Sequence, residues 1–359
     1  MLNSTEDANI AFYISDHGFG HINRCLAIIE ELLARFSFNI YIASGEQQIA
    51  YARIYLAQYS QRIVFKSLKS DVGLTNKKDS LQIDIFRLEV KARQFIDSMD
   101  ELVKQEVESL LRLRPRYIIC DISPIGPFVA SSLEIKCIGI SNFTWVEQYK
   151  YLNISRDIIN FFENAYSKVD VFIKYQLALP FPTANMTIHD VDLISRKLDT
   201  QIIEEYKQRF GQSIFITCGK SARLNIRLKN YDNCVFTTNR MNITTDGRLI
   251  QLPSWVTDTQ NYIGACELVI SKAGWGTIAE TLIAHKKLVL IERPGVFEDT
   301  YLIENLRKNK LAVSIREEEL AELNILELME RANDYIDDVK LMEFKNDTSN
   351  VVEYLSLYA

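Results

Sequence analysis

Two of the four histidines, His17 and His21, stand in one stretch, Asp16-His17-Gly18-Phe19-Gly20-His21-Ile22-Asn23-Arg24. An apolar run from Ile10 to Ile14 leads in and an amphipathic pattern (Leu26, Ile29, Leu32, Leu33) leads out, so a strand enters a glycine turn and a helix leaves it. Gly18 and Gly20 let a ligand approach the backbone, and the helix start directs N–H groups and partial positive charge at it. The same dipole disfavours an imidazolium at His21, which keeps that ring neutral and able to accept a proton. His17 shapes the turn or touches substrate, and Phe19 is counted with Gly18 and Gly20 among the acceptor-binding residues. Asp121, at a strand end, is placed to hold His21 by its other nitrogen and stabilise the imidazolium, or else only to cap the helix that follows. Asn142 closes the next strand on the same side.

A second strand, glycine turn and helix recurs at Ser271-Lys272-Ala273-Gly274-Trp275-Gly276-Thr277-Ile278-Ala279-Glu280. One glycine pair often serves only helix packing; two at matching places in two halves point to a ligand. Backbone N–H groups from Gly274 to Thr277 suit a diphosphate, with Lys272 offsetting its charge, and Glu280 one turn on can accept from both hydroxyls of a ribose. Gly219, after another apolar strand, belongs to the same side. Glu298 and Asp299 follow the Arg293-Pro294-Gly295 turn and offer paired acceptors for sugar hydroxyls. Asp190-Val191-Asp192 imitates a metal-binding DxD but lies past the first domain's exit, and is read as chance.

These residues must be carried by elements. Strands end at Ala43, Cys120 and Ile140 in the first half, and at Cys218, Thr237, Leu252, Ser271 and Ile291 in the second, with helical patterns between them. Alternation of this kind is that of open parallel sheets with sites at their carboxyl edges. The expected organisation is an α/β protein with an acceptor domain over 1–180, a linker over 181–212 and a nucleotide-binding domain over 213–345. A terminal helix, 346–359, would return to the first domain. Ile83 to Arg112 reads as one long amphipathic helix, Val169 to Lys174 as the last strand of the first domain, and Lys69 to Ser80 as a mobile polar loop. At 359 residues and 47% hydrophobic there is core material for two domains, and a net charge of −6 argues against nucleic acid as a partner. Six scattered cysteines read as reduced core residues, the sequence holds no run of eighteen apolar residues, and no charged-then-apolar leader stands before Ile10, so a cytoplasmic location is expected.

The sequence resembles the GT-B glycosyltransferases, which include plant UDP-glycosyltransferases and the lipid-linked N-acetylglucosaminyl transferases. It is most similar to proteins with a GHGFGHATR-type start, among them the N-terminal half of plant arabinokinases. The residues that carry this are DHGFGHINR (16–24), ICDISPIGPFVA (119–130), ISNFTWVEQY (140–149) and VISKAGWGTIAETL (269–282). The resemblance implies two Rossmann-like domains facing a cleft, and His21 as general base oriented by Asp121. It also implies a donor motif at Gly274, Trp275, Thr277 and Glu280, with Lys272 where relatives place a phosphate-contacting histidine. The implied function is inverting, metal-independent transfer from a nucleotide-sugar, most simply UDP-linked, to an acceptor hydroxyl, without a cofactor. Gly18 to Leu26 also resembles the UDP-sugar hydrolases of the pseudaminic acid pathway, where the histidine activates water. A silent nucleotide-sugar-binding protein is the third reading.

Overall fold

The computed structural model describes residues 9–77, 82–180, 186–218, 225–238, 241–293 and 295–358, and the chain divides into two compact units. Unit 1 comprises residues up to 75, 84–192 and 347–359; unit 2 comprises 76–83 and 193–346.

Unit 1 opens with β1 (Asn9–Ile14), α1 (Gly20–Arg35), β2 (Asn39–Ser44), α2 (Glu46–Tyr55) and β3 (Ile63–Ser67). Two helices follow, α3 (Ile85–Asp97) and α4 (Met99–Leu113), then β4 (Tyr117–Asp121), α5 (Ile125–Leu133), β5 (Lys136–Ser141), α6 (Trp145–Tyr151), α7 (Arg156–Tyr166), β6 (Val171–Tyr175) and β7 (Thr187–Val191). The seven strands lie parallel in the order β3-β2-β1-β4-β5-β6-β7. Central strands are buried along their length, which is why they read as unbroken apolar runs. The chain order reverses between β1 and β4, where a doubly wound sheet opens a crevice at its carboxyl ends. Ile14 pairs with Asp121 there, so the glycine turn and the aspartate are delivered to one place.

Unit 2 runs through α8 (Thr200–Phe210), β8 (Ser213–Thr217), β9 (Asn225–Lys229), β10 (Cys234–Thr238), β11 (Asn242–Thr244), β12 (Arg248–Leu252) and α9 (Thr259–Ala265). It continues with β13 (Leu268–Lys272), α10 (Trp275–Ile283), β14 (Lys287–Ile291), α11 (Phe297–Lys308), β15 (Val313–Ile315), β16 (Leu323–Asn324), α12 (Ile325–Tyr335) and α13 (Asp338–Leu341). Its main sheet, β12-β10-β8-β13-β14-β15, repeats the order of the first, with the reversal between β8 and β13; β11-β9-β16 is a small parallel annex. The last helix, α14 (Thr348–Ser356), belongs to unit 1, where it packs on α1 and the Tyr117 hydroxyl donates to the Leu355 carbonyl at 3.1 Å.

Several elements differ from the sequence reading. Residues 83–112 form two helices because the chain breaks at Ser98, whose side chain donates to the Phe95 carbonyl. The first sheet does not end at 174: β7 adds an edge strand that carries His189 and Asp190, so unit 1 extends beyond residue 180. Residues 193–212 belong to unit 2, tied there by Arg196 and by Asp199, whose N–H donates to Asn261 Oδ1. Within the expected mobile loop, Ser70, Asp71 and Thr75 are buried. Trp145 Nε1 donates to Asp71, Ser123 to the Ser70 carbonyl and Tyr149 to the Gly73 carbonyl, which fastens this segment down. All six cysteines are buried and unbridged.

Candidate functional site

In unit 1, Gly18 has φ +80°, a left-handed conformation that favours glycine, and Gln48 Nε2 ties the turn by donating to the Asp16 and Gly18 carbonyls at 2.8 Å. A Cβ at Gly18 or Gly20 would meet no atom within 4 Å, so both face open space. Phe19 stands edge-on to Tyr51. His17 is held sideways: its Nδ1 accepts from the Leu74 N–H at 3.3 Å and its ring meets Trp145 edge-on. These contacts join the segment around Leu74 to the turn.

His21 is buried in the first turn of α1, and its Nδ1 lies 2.9 Å from Asp121 Oδ1. The structure brings together a third group that the sequence reading quoted but gave no role. Arg24, one helical turn after His21, grips Asp121 through Nε (2.7 Å) and Nη2 (2.6 Å). Its Nη1 donates to Asn142 Oδ1 at 2.6 Å and its Nη2 to Ser141 Oγ at 2.9 Å, while Tyr175 lies against its face. Asn142, expected on the acceptor side, is fully buried and serves the arginine. The signal in the sequence was the i, i+3 spacing of His21 and Arg24, which puts both on one helix face. Burial alone would raise the Asp121 pKa, but the Arg24 guanidinium and His21 overcome it and hold the carboxyl at about 2. Nearby, the Asp16 and Asp71 carboxyls are both raised, chiefly by burial.

In unit 2, Lys272 closes β13 and α10 starts after Gly274 with no side-chain cap; its first intrahelical bond runs from the Ile278 N–H to the Gly274 carbonyl. A Cβ at Gly274 would meet only Lys272 Cε, at 3.7 Å, so the approach to this helix end is open. The Lys272 ammonium makes no hydrogen bond or ion pair among the described residues, and its pKa is lowered, first by burial and then by Arg293, against Asp299 and Glu298. Ser271 turns its hydroxyl onto the Lys272 carbonyl, and the Trp275 ring is buried in the core, which leaves Trp275 only its backbone for a ligand. Gly276 and Thr277 are half-buried in the first turn.

The acidic candidates of unit 2 have protein partners. Glu280 Oε1 accepts from Arg196 Nε (3.0 Å) and Nη2 (2.7 Å), and Asp299 is clasped by Arg293 at 2.9 and 2.8 Å. Glu298 is half-buried on the first turn of α11. Gly219 lies outside the described residues. Asp190 of the DxD-like run pairs with Lys174 on β6. Arg196 and Arg293 carried no motif signal, because their partners are 84 and 6 residues away and nothing local marks the pairing.

Residues 194–351 match the model of the glycosyltransferase family 28 C-terminal domain. L-arabinokinase of Arabidopsis thaliana is 22% identical over 313 residues, which are 83% of this chain; the chain spans 30% of that relative's length. A UDP-glucosyltransferase from Polygonum tinctorium capable of glucosylating indoxyl is similar in structure with a TM-score of 0.66, 14% identity and 99% of each chain covered. An Arabidopsis thaliana protein complexed with UDP-L-rhamnose gives 0.66 at 13% identity over 98% of each chain. The calicheamicin glycosyltransferase gives 0.63 at 13% identity over 99% of this chain and 98% of that one. The chain shares the GT-B fold of these structures, and residues 194–351 match a glycosyltransferase family model. That match lies almost wholly in unit 2. Among the described residues no helix is long and apolar enough to cross a membrane.

Proposed function

We propose that the protein transfers a sugar from a nucleoside diphosphate donor, UDP-linked in the simplest case, to an acceptor hydroxyl with inversion. The observation that carries this is the His21–Asp121 pair, 2.9 Å apart at the switch point of the first sheet. With Nδ1–H donated to Asp121, Nε2 takes the acceptor's proton. The acceptor oxygen attacks the anomeric carbon, the bond from that carbon to the phosphate oxygen breaks, and the diphosphate leaves with the electron pair. The start of α10 and Lys272, whose ammonium has no hydrogen bond or ion pair among the described residues, suit that leaving group, and supply its positive counterpart without calling on a metal. Glu280, steadied by Arg196, is the ribose acceptor of this reading, and Glu298 its sugar contact.

The test is a panel of UDP-sugars with and without acceptors, run on the protein and on His21→Ala. The expected result is acceptor-dependent UDP release that falls about a hundred- to ten-thousand-fold in the variant while UDP binding persists. Rapid stoichiometric release of free sugar without acceptor would reassign the histidine to water activation. UDP-sugar binding with no turnover on any acceptor would make the chain a binding protein.

A further inference from the structure

Arg24 Nη2 carries two hydrogens but has three acceptors in reach: Asp121 Oδ1 at 2.6 Å, Ser141 Oγ at 2.9 Å and His21 Nδ1 at 2.8 Å. The first goes to the carboxylate, at the shortest distance and with the strongest charge assistance. Where the second goes decides the chemistry of the imidazole. If it goes to His21, Nδ1 must offer its lone pair, the ring proton sits on Nε2, and no base faces the substrate. If Ser141 takes it, Nδ1 keeps its proton, donates it to Asp121, and leaves Nε2 unprotonated. Ser141 is fully buried at the end of β5, and its oxygen also accepts from the Phe143 N–H at 3.3 Å, which fixes the hydroxyl where Arg24 needs it.

We propose that Ser141, by holding the second Nη2 hydrogen of Arg24 away from His21, keeps His21 in its Nδ1–H tautomer, so that Ser141 is a positioning residue for the proton acceptor. The inference rests on the reading of His21 as general base, but it concerns the resting protein and is measured without turnover. Arg24 has a second effect that works against Asp121. An Asp–His pair with a free carboxylate stabilises the imidazolium with a full negative charge, whereas here that charge is already neutralised in a bidentate grip. Described groups around His21 include Arg24 from α1, Asp121 from β4 and the uncharged Phe143 ring, with Cys25 donating to Asp121 and Tyr175 behind the arginine.

The experiment is nitrogen-15 NMR of imidazole-labelled protein, assigned with His21→Gln, across pH for the unaltered chain, Ser141→Ala and Arg24→Met. The unaltered chain should show His21 protonated on Nδ1 in its neutral form. Ser141→Ala leaves an arginine N–H without its acceptor, and the tautomer ratio should move toward Nε2–H by about ten- to a hundred-fold. Arg24→Met should keep Nδ1–H and titrate about one unit or more higher, since a neighbouring positive charge is gone. A resting Nε2–H tautomer would overturn the proposal, as would a ratio in Ser141→Ala within twofold of the original. Should Arg24→Met not fold, Arg24→Lys keeps the charge and removes the fork, and its unchanged titration with a shifted tautomer ratio would support the same assignment. If these tautomers are as described and His21→Ala still turns over, the base assignment fails and the tautomer assignment stands.

Discussion

At the scale of single residues, both units bury charge and balance it differently. In unit 1 the charge of Asp121 is fully answered. Its carboxyl is depressed to about 2 from an ordinary 3.8, so its contribution to stability is complete above the ordinary value and is lost as pH falls through about 2. That is roughly 2 kcal/mol. Urea unfolding at stepped pH should show this loss in the unaltered chain, and a flatter acid limb in Asp121→Asn, which is also less stable at neutral pH by about 3 kcal/mol because Arg24 is left unpaired. In unit 2 the reverse holds for Lys272, a cation with no hydrogen bond or ion pair among the described residues and only the more distant Asp299 and Glu298 to favour its charge. Lys272→Met is therefore expected to leave thermal stability unchanged or raise it, while weakening UDP binding about tenfold or more by calorimetry. Its lowered pKa also means the free ammonium is lost on the alkaline side earlier than an ordinary lysine, so UDP affinity should decline there in the unaltered chain and not in the variant.

At the scale of elements, the strand-to-helix turns were legible because a buried parallel strand is a continuous apolar run and the glycines end it abruptly. The turn separates two glycines with different duties. Gly18, at φ +80°, is required by the backbone, and Gly18→Ala should cost about 1 kcal/mol in thermal or urea unfolding. Gly20 begins α1 with ordinary backbone and open space around it, so Gly20→Ala should melt no lower than the original while its kcat/KM falls, if a substrate occupies that space. What the sequence concealed were short or edge elements. β9 alternates exposed and buried residues over Asn225–Lys229 with two basic side chains, and β7 is half-exposed, so neither shows an apolar run. The Arg24 cluster was hidden for a different reason: its partners arrive from β4 and β5, 97 to 118 positions away, and only the fold gathers them. Trp275, expected in the donor motif, has a ring that packs into the core with the buried residues of α10.

At the scale of the molecule, unit 1 is discontinuous: α14 supplies Val351, Val352 and Leu355, all fully buried, after unit 2 has been threaded. Three such side chains contribute roughly 6 kcal/mol before entropy. Deleting 347–359 should accelerate hydrogen exchange across α1 and leave β13 protected; equal protection of α1 would show that the helix is dispensable. The two chain passages lie side by side, with Leu193 bridged to Asn346, Asn346 exchanging bonds with the backbone of Ser195, and the Asp192 N–H donating to Asp347. Apart from residues 76–83, unit 2 is thus an insertion closed at its base, like a loop whose ends meet. During synthesis it can complete most of its core before α14 emerges, so if the deletion loosens α1 the first half of the chain is the last to finish folding.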